Sequence, residues 1–92
     1  MAKFLMLGKY SQEAIKGIST ERTNKAVSII EKAGGKVNSA YALLGNYDLA
    51  LLVDLPGNSE AMKASIALTG LTGICFTSFP AMTVEEFDKL VG

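Results

Sequence analysis

The order of hydrophobic patterns along this 92-residue chain predicts an α+β fold. It consists of a four-stranded antiparallel sheet, two helices on one of its faces, and an added C-terminal helix. Three observations carry this expectation. Four short stretches are continuously or alternately apolar and bounded by glycine, proline or asparagine, as strands are. Two longer stretches, Ser19–Ala33 and Asn58–Leu68, repeat apolar residues at spacings of three and four, as helices do. The middle two strands are separated only by Gly45-Asn46, which makes them a hairpin and gives the order β-α-β-β-α-β.

Lys3 to Tyr10 is the first strand. Phe4, Met6, Gly8 and Tyr10 point one way and Lys3, Leu5, Leu7 and Lys9 the other. Ser11 to Ile18 allows one helical turn closed by Gly17, and Ser19 or Thr20 then caps a helix running to Ala33. The stripe of that helix is Thr23, Ala26, Val27, Ile30 and Ala33. Gly34-Gly35 supplies a left-handed cap and a flexible exit. Lys36 to Leu44 and Tyr47 to Leu55 form the hairpin. A two-residue loop sets Ala42 opposite Leu49 and Ala40 opposite Leu51, leaving Val37, Ser39, Tyr41 and Leu43 on the other face with Asp48, Ala50, Leu52 and Asp54. A three-residue loop that includes Tyr47 would re-pair the faces.

Pro56-Gly57-Asn58 is a turn, Asn58 reads as the N-cap of the next helix, and Ala61, Ala64, Ser65 and Leu68 form its small-residue stripe. Thr69 to Gly73 reads as a loose exit, and Ile74 to Ala81 as the fourth strand. Thr83-Val-Glu-Glu86 is a capping box that opens the last helix, with Met82 placed to staple onto Phe87. The whole is the split βαβ, or ferredoxin-like, pattern in one domain spanning residues 1–92.

Tyr47 to Leu55 is apolar everywhere except Asp48 and Asp54, and the first strand is at least half apolar on each face. An antiparallel strand with one wet face should alternate instead. Two helices cover one face only, so Leu5, Leu7, Leu43 and Leu52 need cover from elsewhere. The simplest cover is a second copy of the sheet, which makes the protein a homodimer at least. The C-terminal helix would cover that face or clasp the partner. The hydrophobic content of 49% agrees with apolar surface held back for a partner, as well as with a well-packed soluble domain.

Nine basic residues balance nine acidic ones, so no electrostatic footprint for nucleic acid or an anionic membrane exists. The strand that an RNA-recognition sheet would stud with aromatic and basic residues is leucine-rich here. No apolar run has the roughly 18 residues of a membrane span, and no secretory leader is recognised, which implies a cytoplasmic protein. Histidine is absent, which removes the commonest general base, a His-assisted nucleophile and a His-based metal site. The single cysteine, Cys75, reads as a small buried strand residue. No nucleotide-binding loop is present, so no cofactor or metal is expected.

The run Gly45-Asn46-Tyr47-Asp48 resembles the signature of the GYD domain family. Gly34-Gly35, Asp54-Leu55-Pro56, Gly70 to Gly73 and Thr83-Val-Glu-Glu-Phe87 stand in the order that family shows, so the resemblance spans nearly the whole chain. Gly57-Asn58-Ser59 departs from the acidic helix start expected there. The resemblance implies a dimeric α/β-barrel type of domain, related in architecture to small stand-alone monooxygenases and amino-acid-sensing regulatory domains. It implies no established activity.

The polar residues that could serve a ligand are Tyr10, Tyr41, Tyr47 and Asp48. Asp48 has an equally good structural role, accepting from backbone amides at the turn. The expected function is that of a small homo-oligomeric domain holding a small metabolite between sheet and helices. The alternative is a cofactorless enzyme of the small monooxygenase or isomerase type, using one of these tyrosines or Asp48.

Overall fold

Strict alternation along the strands decides which side chains meet the helices. In the computed structural model, which describes residues 1–92, β1 (Ala2–Lys9) buries Phe4, Met6 and Gly8 and leaves Lys3, Leu5 and Leu7 half-covered on the opposite face. β3 (Leu49–Leu55) repeats the pattern, with Leu51, Val53 and Leu55 inside and Ala50, Leu52 and Asp54 half-covered. With β2 (Lys36–Ala42) and β4 (Cys75–Ala81) these strands form one antiparallel sheet in the order β2-β3-β1-β4. This is the ferredoxin-like arrangement, with β1 and β3 at the centre.

α2 (Thr20–Lys32) and α3 (Asn58–Thr72) lie on one face. Ile30, Ala61, Ala64 and Leu68 from these helices close the core over Phe4, Met6, Leu51, Val53 and Leu55. The short α1 (Gln12–Lys16) is capped by the Ser11 hydroxyl and closed at Gly17, and the Ser19 hydroxyl caps α2. Gly34 (φ +88°) and Gly35 end α2 by donating to the carbonyls of Glu31 and Ile30, a Schellman closure. Gly35 is no flexible exit. A Cβ there would lie 2.2 Å from the Asp54 carbonyl oxygen, so only glycine lets the two chains approach this closely.

The hairpin has the two-residue-loop register, Ala42 against Leu49 and Ala40 against Leu51, and the Leu43 N–H donates to the Asp48 carbonyl at 2.8 Å. The regular strand nevertheless stops at Ala42. Val37 moves to the helix face, against the alternation expected of it. A bulge between Val37 and Ser39 inserts one residue, pairs Val37 with Val53, and flips the phase.

α3 differs from the sequence reading at both ends. Gly57 is the N-cap and Asn58 the first helical residue, with no side-chain cap bond. The helix also continues through Gly70 to Thr72, because Thr72 extends the buried stripe of Ala61, Ala64 and Leu68 by one turn. Packing of that turn outweighs the glycine's helix penalty of about 1 kcal/mol. The Thr72 hydroxyl donates to the Leu68 carbonyl and accepts from the Ile74 N–H, so its burial leaves nothing unpaired.

On the face away from the helices, Leu5, Leu7, Ala50 and Leu52 form an apolar centre, and Tyr41 and Phe79 are 65% and 44% exposed. Asp54 joins Lys3 and Asn38 at one end of it, at 3.2 and 3.0 Å. Hydrogen bonds from Asn38, then from Lys3, hold the Asp54 carboxyl below its usual pKa. Cys75 is exposed rather than buried, because it sits on the edge strand opposite Lys9 with its side chain on this open face. α4 (Val84–Val91) starts on the Thr83 cap but buries none of its residues, and Phe87 and Leu90 are 50% and 71% exposed. The open face therefore has no cover within the chain.

Candidate functional site

The small residues on the inner faces of β2 and α2 keep those elements from filling the space between them. Ala40 on β2 and Ala26 on α2 stand where larger side chains would meet, and a cavity of about 90 Å³ remains between the sheet and α2. Its deep wall is made by Ile30 and Leu68, both fully buried, together with Leu51. Ile74 and Phe76 close the β4 side. Gly8 makes room for that pair, since a Cβ there would lie 2.8 Å from Ile74 Cγ2 and 3.0 Å from Phe76 Cε1.

Four polar side chains reach the lining, one of them Thr23, whose hydroxyl donates to the Ser19 carbonyl. Thr72 is buried and saturated by the two bonds described above. Tyr10 and Arg22 are half-buried and stand at the rim, the Arg22 guanidinium carbon 5.9 Å from the centre of the Tyr10 ring. Arg22 Nη1 also donates to the Ala14 carbonyl, where α1 turns toward α2. The guanidinium has no carboxylate within ion-pair reach; the chain's ion pairs are Lys3–Asp54, Lys25–Glu21 and Lys89–Glu85. No acidic side chain lines the cavity.

Of the four residues singled out from the sequence, the fold joins two. Asp48 Oδ2 accepts from the Tyr10 N–H at 2.8 Å, and the Asp48 N–H donates to the Gly8 carbonyl at 2.8 Å. The amide that Asp48 holds thus belongs to the end of β1, not to the turn itself. Lys9 adds a bond from its ammonium to the Asn46 carbonyl. The loop is in this way fastened to the segment that carries Tyr10, and Asp48 positions Tyr10 on the rim. Tyr47 is half-buried in the loop and does not line the cavity. Tyr41 lies across from Ala50 on the open face, remote from the cavity.

Arg22 is the residue the sequence reading passed over, because a charge at the start of an amphipathic helix reads as a solvated position. One signal was available. Arg22 is the only arginine in the chain and stands in the first turn of α2, where the helix dipole disfavours a cation. A wider depression of about 430 Å³ between α3 and β4 is lined by Phe4, Met62, Ile66 and Pro80 among others, with no titratable side chain. No three of the chain's Cys, Asp and Glu residues gather closely enough to hold a metal ion.

The GYD domain model matches residues 4–91. The chain belongs to the GYD domain family. Its Gly45-Asn46-Tyr47-Asp48 signature is thus the loop whose aspartate ties the hairpin to Tyr10. Among solved structures, this GYD domain is similar to the leucine response regulatory protein LrpA of Mycobacterium tuberculosis, at 11% identity and a TM-score of 0.59 over 89% of this chain and 51% of that one. A point-mutant structure is similar at 12% identity with the same TM-score, over 89% of this chain and 50% of that one. The GYD domain therefore spans about half the length of each, and at such identities the likeness is one of fold. No curated protein matches the sequence. No helix is long and apolar enough to cross a membrane.

Proposed function

We propose that this GYD domain is a self-associating small-molecule binder, with the apolar part of a small ligand held between the sheet and α2 and a second copy seated on the open sheet face. The observation that carries the binding role is the cavity itself: apolar walls, alanines at positions 26 and 40 where larger side chains would fill it, and Tyr10 and Arg22 on its rim. Pockets for small ligands have this character, mostly apolar with few convergent polar groups. The second copy is supported by the apolar centre of Leu5, Leu7, Ala50 and Leu52 beside a polar edge of Lys3, Asn38 and Asp54. A core-and-rim layout of this kind suits a subunit contact. α4, amphipathic and unburied, adds a clasp for the same partner.

Light scattering at micromolar concentration tests the assembly, with a dimer or larger expected and a monomer refuting it. Titration with n-butanol, followed by amide chemical shifts, tests the cavity. Shifts should gather at Ala26, Ile30, Leu51 and Leu68, and their absence refutes the binding reading. The enzymatic alternative draws on Tyr10, whose only hydrogen bond within the chain is made by its backbone N–H. Turnover lost in Tyr10→Phe with binding retained would favour it.

A further inference from the structure

The buried walls of the cavity are apolar save for Thr72, whose hydroxyl is already paired, yet a guanidinium with no carboxylate partner waits at its rim. We propose that the ligand is a short-chain aliphatic monocarboxylate, with its alkyl group among Ile30, Leu51 and Leu68 and its carboxylate on Arg22. The inference rests on the cavity-binding reading above and specifies the chemistry of that site.

Four observations converge on this class. Burying a charged headgroup against Ile30 and Leu68 without a partner is strongly unfavourable, so a charged head must lie at the rim. At the rim stands Arg22, whose planar fork suits a carboxylate and which forms no ion pair although the chain has nine acidic residues. The Ala14 carbonyl and the Tyr10 ring hold the guanidinium in place, which lowers the ordering cost of binding. Size sets the tail. A dry cavity of about 150 Å³ takes benzene, so about 90 Å³ takes an alkyl group of roughly three or four carbons. No Asp or Glu in the lining offers a counter-charge to an amino acid's ammonium, which favours a monocarboxylate over an amino acid.

The full chain is titrated with butyrate, n-butanol, acetate and valine, read by amide chemical shifts and by the Arg22 side-chain Nε–H. That group gives a single resonance because no other arginine exists. Butyrate should bind about tenfold or more tighter than n-butanol, the usual worth of a charge-assisted bond, and should move the Nε–H resonance, which n-butanol leaves in place. Acetate, lacking the tail, and valine should bind more weakly than butyrate. Arg22→Gln should erase the preference of butyrate over n-butanol while n-butanol affinity changes less than about twofold. Arg22→Lys, which keeps the charge without the fork, should fall between.

Equal binding of butyrate and n-butanol to the native chain overturns the carboxylate assignment and leaves the cavity reading standing. Valine binding as tightly as butyrate overturns the monocarboxylate class. Failure of both butyrate and n-butanol to bind overturns the cavity reading itself. The native-chain comparison needs no variant, so it decides the matter even where Arg22→Gln loosens the Ala14 contact and unfolds.

Discussion

Leu51 and Leu52 are neighbours in β3, but they face opposite sides of the sheet, and a carboxylate at each should have a different effect. Leu51 is 8% exposed in the core between the sheet and the helices. Replacing it by Asp forfeits about 2–3 kcal/mol of apolar burial. It also strands a carboxylate among Ile30, Leu68 and Met6, at several kcal/mol more. A 92-residue domain has about 5–14 kcal/mol of stability, so Leu51→Asp should not fold. Leu52 is half-covered on the open face, where an Asp side chain reaches water in the isolated subunit. Leu52→Asp should therefore fold. In a symmetric dimer each interface would gain two unpaired carboxylates, raising the dissociation constant by about a thousandfold for some 4 kcal/mol lost. Circular dichroism melts report the first effect, and light scattering over a concentration series reports the second. A folded Leu52→Asp variant that associates like the native chain would refute the assignment of the open face to a partner. A folded Leu51→Asp variant would refute the account of the core.

Two glycines should respond to alanine with opposite signs. Gly35→Ala should destabilise by about 3 kcal/mol, because the new Cβ meets the Asp54 carbonyl, whereas Gly70→Ala, in an open stretch of α3, should stabilise by about 1 kcal/mol; denaturant titration measures both. Thr72→Val should cost about 1–3 kcal/mol in the same assay, since it leaves the buried Ile74 N–H without its acceptor. Asp54 has its folded-state pKa lowered by Asn38 and then Lys3, so its contribution is complete above the unfolded carboxyl pKa and is lost as pH falls through the folded value. Melting temperature measured from neutral to acid pH should accordingly fall more for the native chain than for Asn38→Ala. An identical acid profile in the two proteins would remove Asn38 as the dominant cause.

Local rules made much of this domain legible. Apolar alternation assigned the faces of β1 and β3, and the Gly45-Asn46 spacing set the register of Ala40 and Ala42 against Leu51 and Leu49. Serine and threonine caps marked the starts of α2 and α4. Where local rules failed, a distant contact had overruled them. Thr69 to Thr72 looked like a loop because Gly70 weakens a helix, but Thr72 reaches the core and keeps the helix going. Val37 changed face because a bulge shifted its phase, and a bulge leaves no periodic trace in one strand read alone.

The candidate site divides in the same way. Tyr10 and the Gly45–Asp48 signature could be read from the chain, because each is a local exception to an apolar pattern. Their connection could not: Asp48 reaches the Tyr10 amide across 38 positions, by a hydrogen bond that exists only once β1 and β3 are paired. Arg22 was the least legible of all. Its position comes from the elements packed around it, which put an otherwise solvated charge beside Tyr10 and above a hollow bounded by Ala40, Leu51 and Leu68. Periodicity along the chain determined which residues face inward, since burial follows the geometry of each element. Tertiary packing alone decided where those inward faces fail to fill space, because a cavity is the joint remainder of elements that do not adjoin in sequence.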